Sequence, residues 1–176
     1  VEDVTAGWLS GTLSLPKYTL IAGIRTENAG TGMRDSIRYH DFIVLPRITV
    51  TRKLTDRQSL ELSYNSILNR PNIYELNPYY SRTDPFSSSI GNPGLKNEII
   101  HKLGLTWSGS AGDSYLSAGI FYERESNSIN RYAVITGSSE VESRIANLGT
   151  ISRYGFRFSG PLRLNSNITI TPWVRR

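Results

Sequence analysis

Cysteine is absent from the 176 residues, which removes disulfide frameworks and thiolate metal sites. No apolar run approaches the ~18 residues of a membrane-crossing helix, so a helical membrane protein is excluded. No signal peptide is visible. Histidine occurs only as His40 and His101, neither with a second ligand at useful spacing, so no metal site is expected. Basic residues form no run. The net charge of +5 and pI of 9.6 come from scattered Lys and Arg, and nucleic acid is not an expected partner. No G-x-S-x-G elbow occurs. Glu123 and Glu125 share a strand face, but no pocket-building motif accompanies them, so they read as solvated charges rather than a hydrolytic pair. These residues offer no motif for catalysis, and no cofactor is expected. Hydrophobic residues make up only 38% of the chain, against 10% aromatics with ten Tyr. That balance suits a sheet with one polar and one apolar face, and a barrel wall is compatible with every one of these absences, because its strands are only ~9–11 residues long and alternate in polarity.

What is present is period-2 alternation. Residues 18–27 (YTLIAGIRTE) put Tyr18, Leu20, Ala22 and Ile24 on one side and Thr19, Gly23, Arg25 and Glu27 on the other. Residues 42–53 (FIVLPRITVTRK) align Phe42, Val44, Pro46, Ile48 and Val50, and Pro46 predicts a bulge or rim position because it lacks a ladder donor. The clearest alternation is 59–68 (SLELSYNSIL), with Leu60, Leu62, Tyr64 and Leu68 on one face. Leu103, Leu105 and Trp107 continue it, as do Leu116, Ala118, Ile120 and Tyr122, then Tyr154, Phe156 and Phe158. A weak first strand covers 8–15 and a last strand 167–174. Residues 28–41 read as a Gly/Asn/Asp-rich loop. The fold expected is all-β: an antiparallel up-and-down meander of about eight strands, part of a transmembrane β-barrel, and a curved open sheet if isolated. Periodicity alone leaves a soluble carbohydrate-binding β-sandwich open, because both folds carry one apolar face. The polar face would carry Arg25, Glu27, Glu61, Lys102, Glu123, Glu125, Arg153 and Arg157. Tyr18, Tyr64, Trp107 and Trp173 fit an aromatic girdle near strand ends, and Gly23, Gly104 and Gly119 read as curvature devices.

One stretch interrupts the meander. Arg70 to Glu98 holds four of the eight prolines and the aromatics Tyr74, Tyr79, Tyr80 and Phe86. Such proline density excludes a central strand or helix, and a loop this long in a compact domain is functional or disordered. Its aromatics give it something to pack, so order is expected. Asn77-Pro78, Asp84-Pro85 and Asn92-Pro93 read as turn formers. Tyr74, Tyr79, Tyr80 and Phe86 with Arg82 are the candidate substrate-binding residues, since rings and a guanidinium suit sugars and catecholate chelates. The plainer reading is that the same rings fold the loop onto the rim.

Four stretches also carry a family likeness. IAGIRTE (21–27), LPRITVTRKLTDRQSLELSYNSILNRPNIYELNP (45–78), DPFSSSIGNPGLKNE (84–98) and IFYERESNSI (120–129), with Asn147-Leu148-Gly149 and Tyr154-Gly155 beyond, follow one another in family order. Together they make the chain resemble the β-barrel region of TonB-dependent outer-membrane receptors of the Bacteroidetes type. Asn97 departs from the proline often found there, and no plug domain, TonB box or terminal aromatic strand occurs. The resemblance implies that residues 1–176 are an interior part of an outer-membrane barrel of 22 strands. It further implies that the long loop faces outside the cell and the tight turns the periplasm. The implied function is import of a scarce, bulky nutrient: iron-siderophore, haem, cobalamin or a glycan. The implied partners are outer-membrane lipid and lipopolysaccharide, the protein's own plug domain, TonB, and a small-molecule or glycan ligand. A complete eight-stranded adhesin or anchor barrel is the other membrane alternative.

Overall fold

The computed structural model describes residues 2–33, 37–111, 114–136, 140–165 and 168–175. In chain order the elements are β1 (Glu2–Ser14), β2 (Tyr18–Met33), β3 (Ile37–Thr55), β4 (Gln58–Asn69), α1 (Ile73–Leu76), β5 (Ser81–Asp84), β6 (Ser87–Ser89), β7 (Glu98–Ala111), β8 (Ser114–Ser126), β9 (Ile129–Thr136), β10 (Glu140–Asn147), β11 (Thr150–Ser159), β12 (Leu162–Asn165), β13 (Ile168–Ile170) and β14 (Trp173–Arg175). Eight of them form one open sheet in the order β1-β2-β3-β4-β7-β8-β11-β14. Smaller sheets are β5-β6-β10-β9 and the β12-β13 hairpin.

The chain divides into two compact units. The first comprises Val1–Ser66, His101–Glu123 and Arg153–Arg176; the second comprises Ile67–Ile100 and Arg124–Ser152.

In the first unit the register carries the predicted alternation across strands. Leu13, Leu20, Val50 and Leu62 form one cross-strand row, and Gly11, Ala22, Ile48 and Tyr64 the next. On the other face, Ser10, Gly23, Arg47 and Asn65 form a row, and so do Thr12, Ile21, Thr49 and Ser63. The apolar face is uncovered: Leu62 and Phe156 are each 47% exposed, and Leu20, Ile24, Ile48, Leu103, Leu105 and Ile120 are exposed too. A sandwich would bury these side chains against a second sheet, so the soluble-sandwich alternative is overturned. A contiguous apolar face of this kind is suited to lipid.

Gly23, Gly104 and Gly119, the three glycines expected to be curvature devices, lie on the polar face at close approaches. A Cβ would stand 3.3 Å from Ser10 Cβ at Gly23, 3.1 Å from Ser63 Oγ at Gly104, and 2.9 Å from the Leu105 carbonyl oxygen at Gly119. The missing side chains let neighbouring strands draw together on that face, as a sheet curving toward it requires.

Several boundaries differ from expectation. Residues 28–33 and 37–41 are not loop: β2 and β3 pair on from Asn28↔Phe42 to Met33↔Ile37. Backbone pairing is indifferent to the Gly/Asn/Thr side chains there, and the alternation fades because these rungs lie beyond the apolar stretch. With 16 and 19 residues, these two strands greatly exceed the spanning length. Pro46 makes no bulge: it pairs in register with Ile24, while the β3–β4 ladder starts one residue later, at Arg47↔Asn65. The irregularity falls at Lys53/Thr55 instead. The final expected strand is split into β13 and β14, and β12 precedes it at Leu162–Asn165.

Candidate functional site

The second unit contains all five candidate binding residues. It begins with a single helical turn, α1, whose start is set by a capping box. The Asn72 side chain accepts from the N–H groups of Tyr74 and Glu75, both at 3.0 Å, and Glu75 Oε2 accepts from the Asn72 N–H at 2.8 Å. Each Asx-Pro pair then closes a turn, as expected. Asn77 Oδ1 accepts from Tyr79 N at 3.1 Å, Asp84 Oδ1 from Phe86 N at 2.7 Å, and Asn92 Oδ1 from Gly94 N at 2.9 Å. Gly91 and Asn92 dock back onto α1 through Gly91 N to Asn77 O at 2.9 Å and Asn92 N to Glu75 O at 2.7 Å.

Longer-range polar bonds tie this loop to the rest of its unit. Glu98 is only 6% exposed, and its carboxylate accepts from the Asn69 side-chain amide and the Ile129 N–H. Asn147 accepts from Lys96 N at 2.8 Å and donates to the carbonyls of Lys96 at 2.9 Å and Asn127 at 2.7 Å. Ser128, with 2% exposure the most buried side chain among the described residues, donates to Glu125 Oε1 at 2.5 Å. Leu95 and Ile145 supply the small apolar core. Strands β6 and β10 pair in parallel from Val141↔Ser87 to Ser143↔Ser89.

The candidate rings take no part in this frame. Tyr74 is 80% exposed, and Tyr79, Tyr80 and Phe86 are also well exposed, as is the neighbouring Ile73. Tyr74 sits in α1, Tyr79 and Tyr80 follow it, and Phe86 lies in the tight link between β5 and β6. The loop is ordered by Asn, Asp and Glu bonds to backbone, so the expectation that its aromatics pack it is corrected. Arg82 is held by Glu140 at 3.1 Å. On β10, Glu142 accepts from Arg144 Nε, and that hydrogen bond, with its charge, raises the Arg144 pKa above its ordinary value.

The first unit contributes a charge ladder on the polar face. Buried Glu123 faces Lys102 Nζ at 3.6 Å and Arg157 Nη2 at 3.8 Å, and the Arg157 guanidinium lies 4.5 Å from the centroid of Phe121. Arg25 donates to buried Glu27 at 2.5 Å. Glu123 and Glu125 were expected to be solvated; both are buried and partnered, because neighbouring strands bring Lys102 and Arg157 to Glu123 and the link after β8 brings the Ser128 hydroxyl to Glu125. Glu123→Gln should leave Lys102 and Arg157 facing one another across a neutral amide. The partners are half-exposed, so a loss of about 1 kcal/mol is expected, read as a lower urea midpoint in detergent.

Sequence reasoning missed the bonds that span the chain. Tyr64 Oη lies 2.8 Å from His101 Nδ1, and Ser66 Oγ lies 3.1 Å from that same nitrogen. The only forewarning was that Tyr64 and His101 fall in phase with Leu62 and Leu103. At the girdle positions, Tyr18 carries Arg52 at 5.7 Å from its ring centroid, while the side chain of Trp173, like that of His40, lies outside the described residues. Among the described residues, no three His, Asp or Glu side chains gather as a metal site.

A search of curated proteins finds no match. Among solved structures, the fold is similar to the ferric enterobactin receptor PfeA from Pseudomonas aeruginosa, at 18% identity and TM-score 0.72, over 98% of this chain and 27% of that one. It is similar to the siderophore receptor PirA from the same organism, at 16% identity and TM-score 0.78, over 99% of this chain and 34% of that one. The FrpB iron transporter from Neisseria meningitidis gives 15% identity and TM-score 0.67 over 93% of this chain and 24% of that one. The chain thus spans about a quarter to a third of the length of these receptors. The antiparallel open sheet, its uncovered apolar face and the match of residues 1–174 to one family model agree: the chain belongs to the outer membrane protein beta-barrel family.

Proposed function

We propose that the chain is part of the barrel wall, with one external loop, of a TonB-dependent transporter that imports a scarce, bulky nutrient across the outer membrane. The observation that supports this reading best is a set of exposed rings, Tyr74, Tyr79, Tyr80 and Phe86, on a frame that none of them holds together. Apolar surface beyond what folding uses is available for binding, and Arg82 adds a cation within the same sheet as β6. The candidate cargoes are ferric siderophore, haem, cobalamin and glycan. Ferric siderophore ranks first, because the solved receptors named above take ferric enterobactin, a siderophore or iron. Residues 1–176 serve as an interior portion of the barrel. A plug domain elsewhere in the polypeptide, engaged by TonB, supplies the energy of the inner-membrane proton gradient. The wall positions and passes its cargo, and no bond of the cargo is made or broken.

Growth of a deletion strain on single iron, vitamin and glycan sources tests the reading. A defect confined to one ferric siderophore is expected, and normal growth on every source would overturn it. In the complemented strain, Tyr79→Ala together with Tyr80→Ala should raise the half-saturating siderophore concentration about tenfold with surface expression unchanged. Unchanged uptake would remove these rings from the binding site.

A further inference from the structure

We infer that Tyr64, Ser66 and His101 form a site on the lipid-facing side of the sheet for the phosphate of an outer-leaflet lipid, the phosphorylated diglucosamine of lipid A. The three side chains stand on the apolar face. Tyr64 shares its cross-strand row with Ile48 and Ala22, and His101 is in phase with exposed Leu103 and Leu105. A Cβ on Gly104 would point at Ser63 Oγ on the polar face, which fixes His101, three residues earlier, on the opposite one.

The cluster is built rather than incidental. Tyr64 Oη lies 2.8 Å from His101 Nδ1, Ser66 Oγ donates to Tyr64 Oη at 3.2 Å, and Ser66 Oγ lies 3.1 Å from Nδ1. The Tyr64 and His101 rings stack with centroids 6.1 Å apart and planes 14° from parallel. Ser66 is 7% exposed. Because Ser66 donates to Tyr64 Oη, the Tyr64 proton is free to go to Nδ1, and that arrangement leaves the imidazole proton on Nε2 of a half-exposed ring. Hydrocarbon offers that donor no partner, and an unmet N–H there is costly. A lipid phosphate oxygen is the strongest acceptor available at that surface.

Position chooses the leaflet. The cluster stands near the end of β4 and the start of β7, away from the tight turn joining β3 to β4. This choice rests on the proposed orientation, in which the Arg70–Glu98 loop faces outward and that end lies in the lipopolysaccharide leaflet.

The test uses the whole receptor in nanodiscs, with retained lipid counted by native mass spectrometry. The discs contain bis-phosphorylated lipid A, dephosphorylated lipid A or phosphatidylglycerol. Wild type should retain phosphorylated lipid A selectively. His101→Leu should lower retention about tenfold, and His101→Arg should restore it. If His101→Leu does not give a heat-modifiable folded barrel, Tyr64→Phe reads the same loss, since it removes the hydroxyl that fixes the imidazole proton. Equal retention in a folded His101→Leu or Tyr64→Phe variant would overturn the site. Equal retention of phosphatidylglycerol or dephosphorylated lipid A would overturn the assignment to lipid A phosphate. Siderophore uptake by His101→Leu cells should match wild type, so a failure of the transport reading shows separately from a failure of the lipid site.

Discussion

Replacing Glu98 with alanine should open the loop-bearing unit and raise cleavage of residues 70–97 by surface-added protease about a hundredfold. The carboxylate is buried and accepts from the Asn69 amide and the Ile129 N–H, so that Glu98 ties three segments of the chain together. Deleting it leaves two donors without acceptors in a site that little water reaches. Hydrogen bonds to a charged group are worth about 1.5–3 kcal/mol each, so together they account for a local opening of about 3 kcal/mol or more. Glu98→Gln is the informative control: it keeps one acceptor and should lose less than the alanine variant. The barrel itself should remain folded, with its heat-dependent migration on a gel unchanged. Wild-type protease resistance in Glu98→Ala would overturn the clamp.

The second large effect is expected at Gly91. A Cβ there would lie 2.5 Å from the Glu75 carbonyl oxygen and 2.6 Å from that of Asn77. Both are backbone atoms of the α1 turn and its exit, so neither yields by rotating a side chain. Gly91→Val must therefore separate the Gly91-Asn92 segment from α1 and break Gly91 N to Asn77 O and Asn92 N to Glu75 O together. Overpacking of this kind costs about 1–3 kcal/mol before the two hydrogen bonds are counted. Protease sensitivity close to that of Glu98→Ala is the expected result. The double variant should be less than additive, because both changes release one unit. Full additivity would mean that the two ends of the loop open independently.

Much of this architecture was legible in the residues. The alternation of Leu60, Leu62 and Tyr64, and of Phe156 and Phe158, announced a sheet with one apolar face, because a side-chain period of two leaves few other folds. The turn-forming role of Asn77, Asp84 and Asn92 was equally legible, since an Asx side chain reaches its own backbone two residues on. The β2–β3 extension was not: its rungs are backbone bonds between residues with no apolar alternation. Nor were the breaks at Asn127, which adopts φ 57°, and at Gly149, at φ 98°, which separate β8 from β9 and β10 from β11. The clamps at Glu98 and Asn147 join residues up to 51 positions apart, a distance over which local pattern carries no information. The candidate rings were legible as rings, but their exposure was not. Aromatics in a loop look the same on paper whether they pack or face solvent.

The separation between frame and rings has an evolutionary side. In the proposed orientation the loop would be open to phages and antibodies as well as to cargo. Here the rings of Tyr74, Tyr79, Tyr80 and Phe86 are exposed and make none of the hydrogen bonds that order the loop, while Asn72, Gly91, Asn92, Glu98 and Asn147 supply them. Variation can therefore collect at the exposed rings without a folding penalty while the same scaffold is inherited intact.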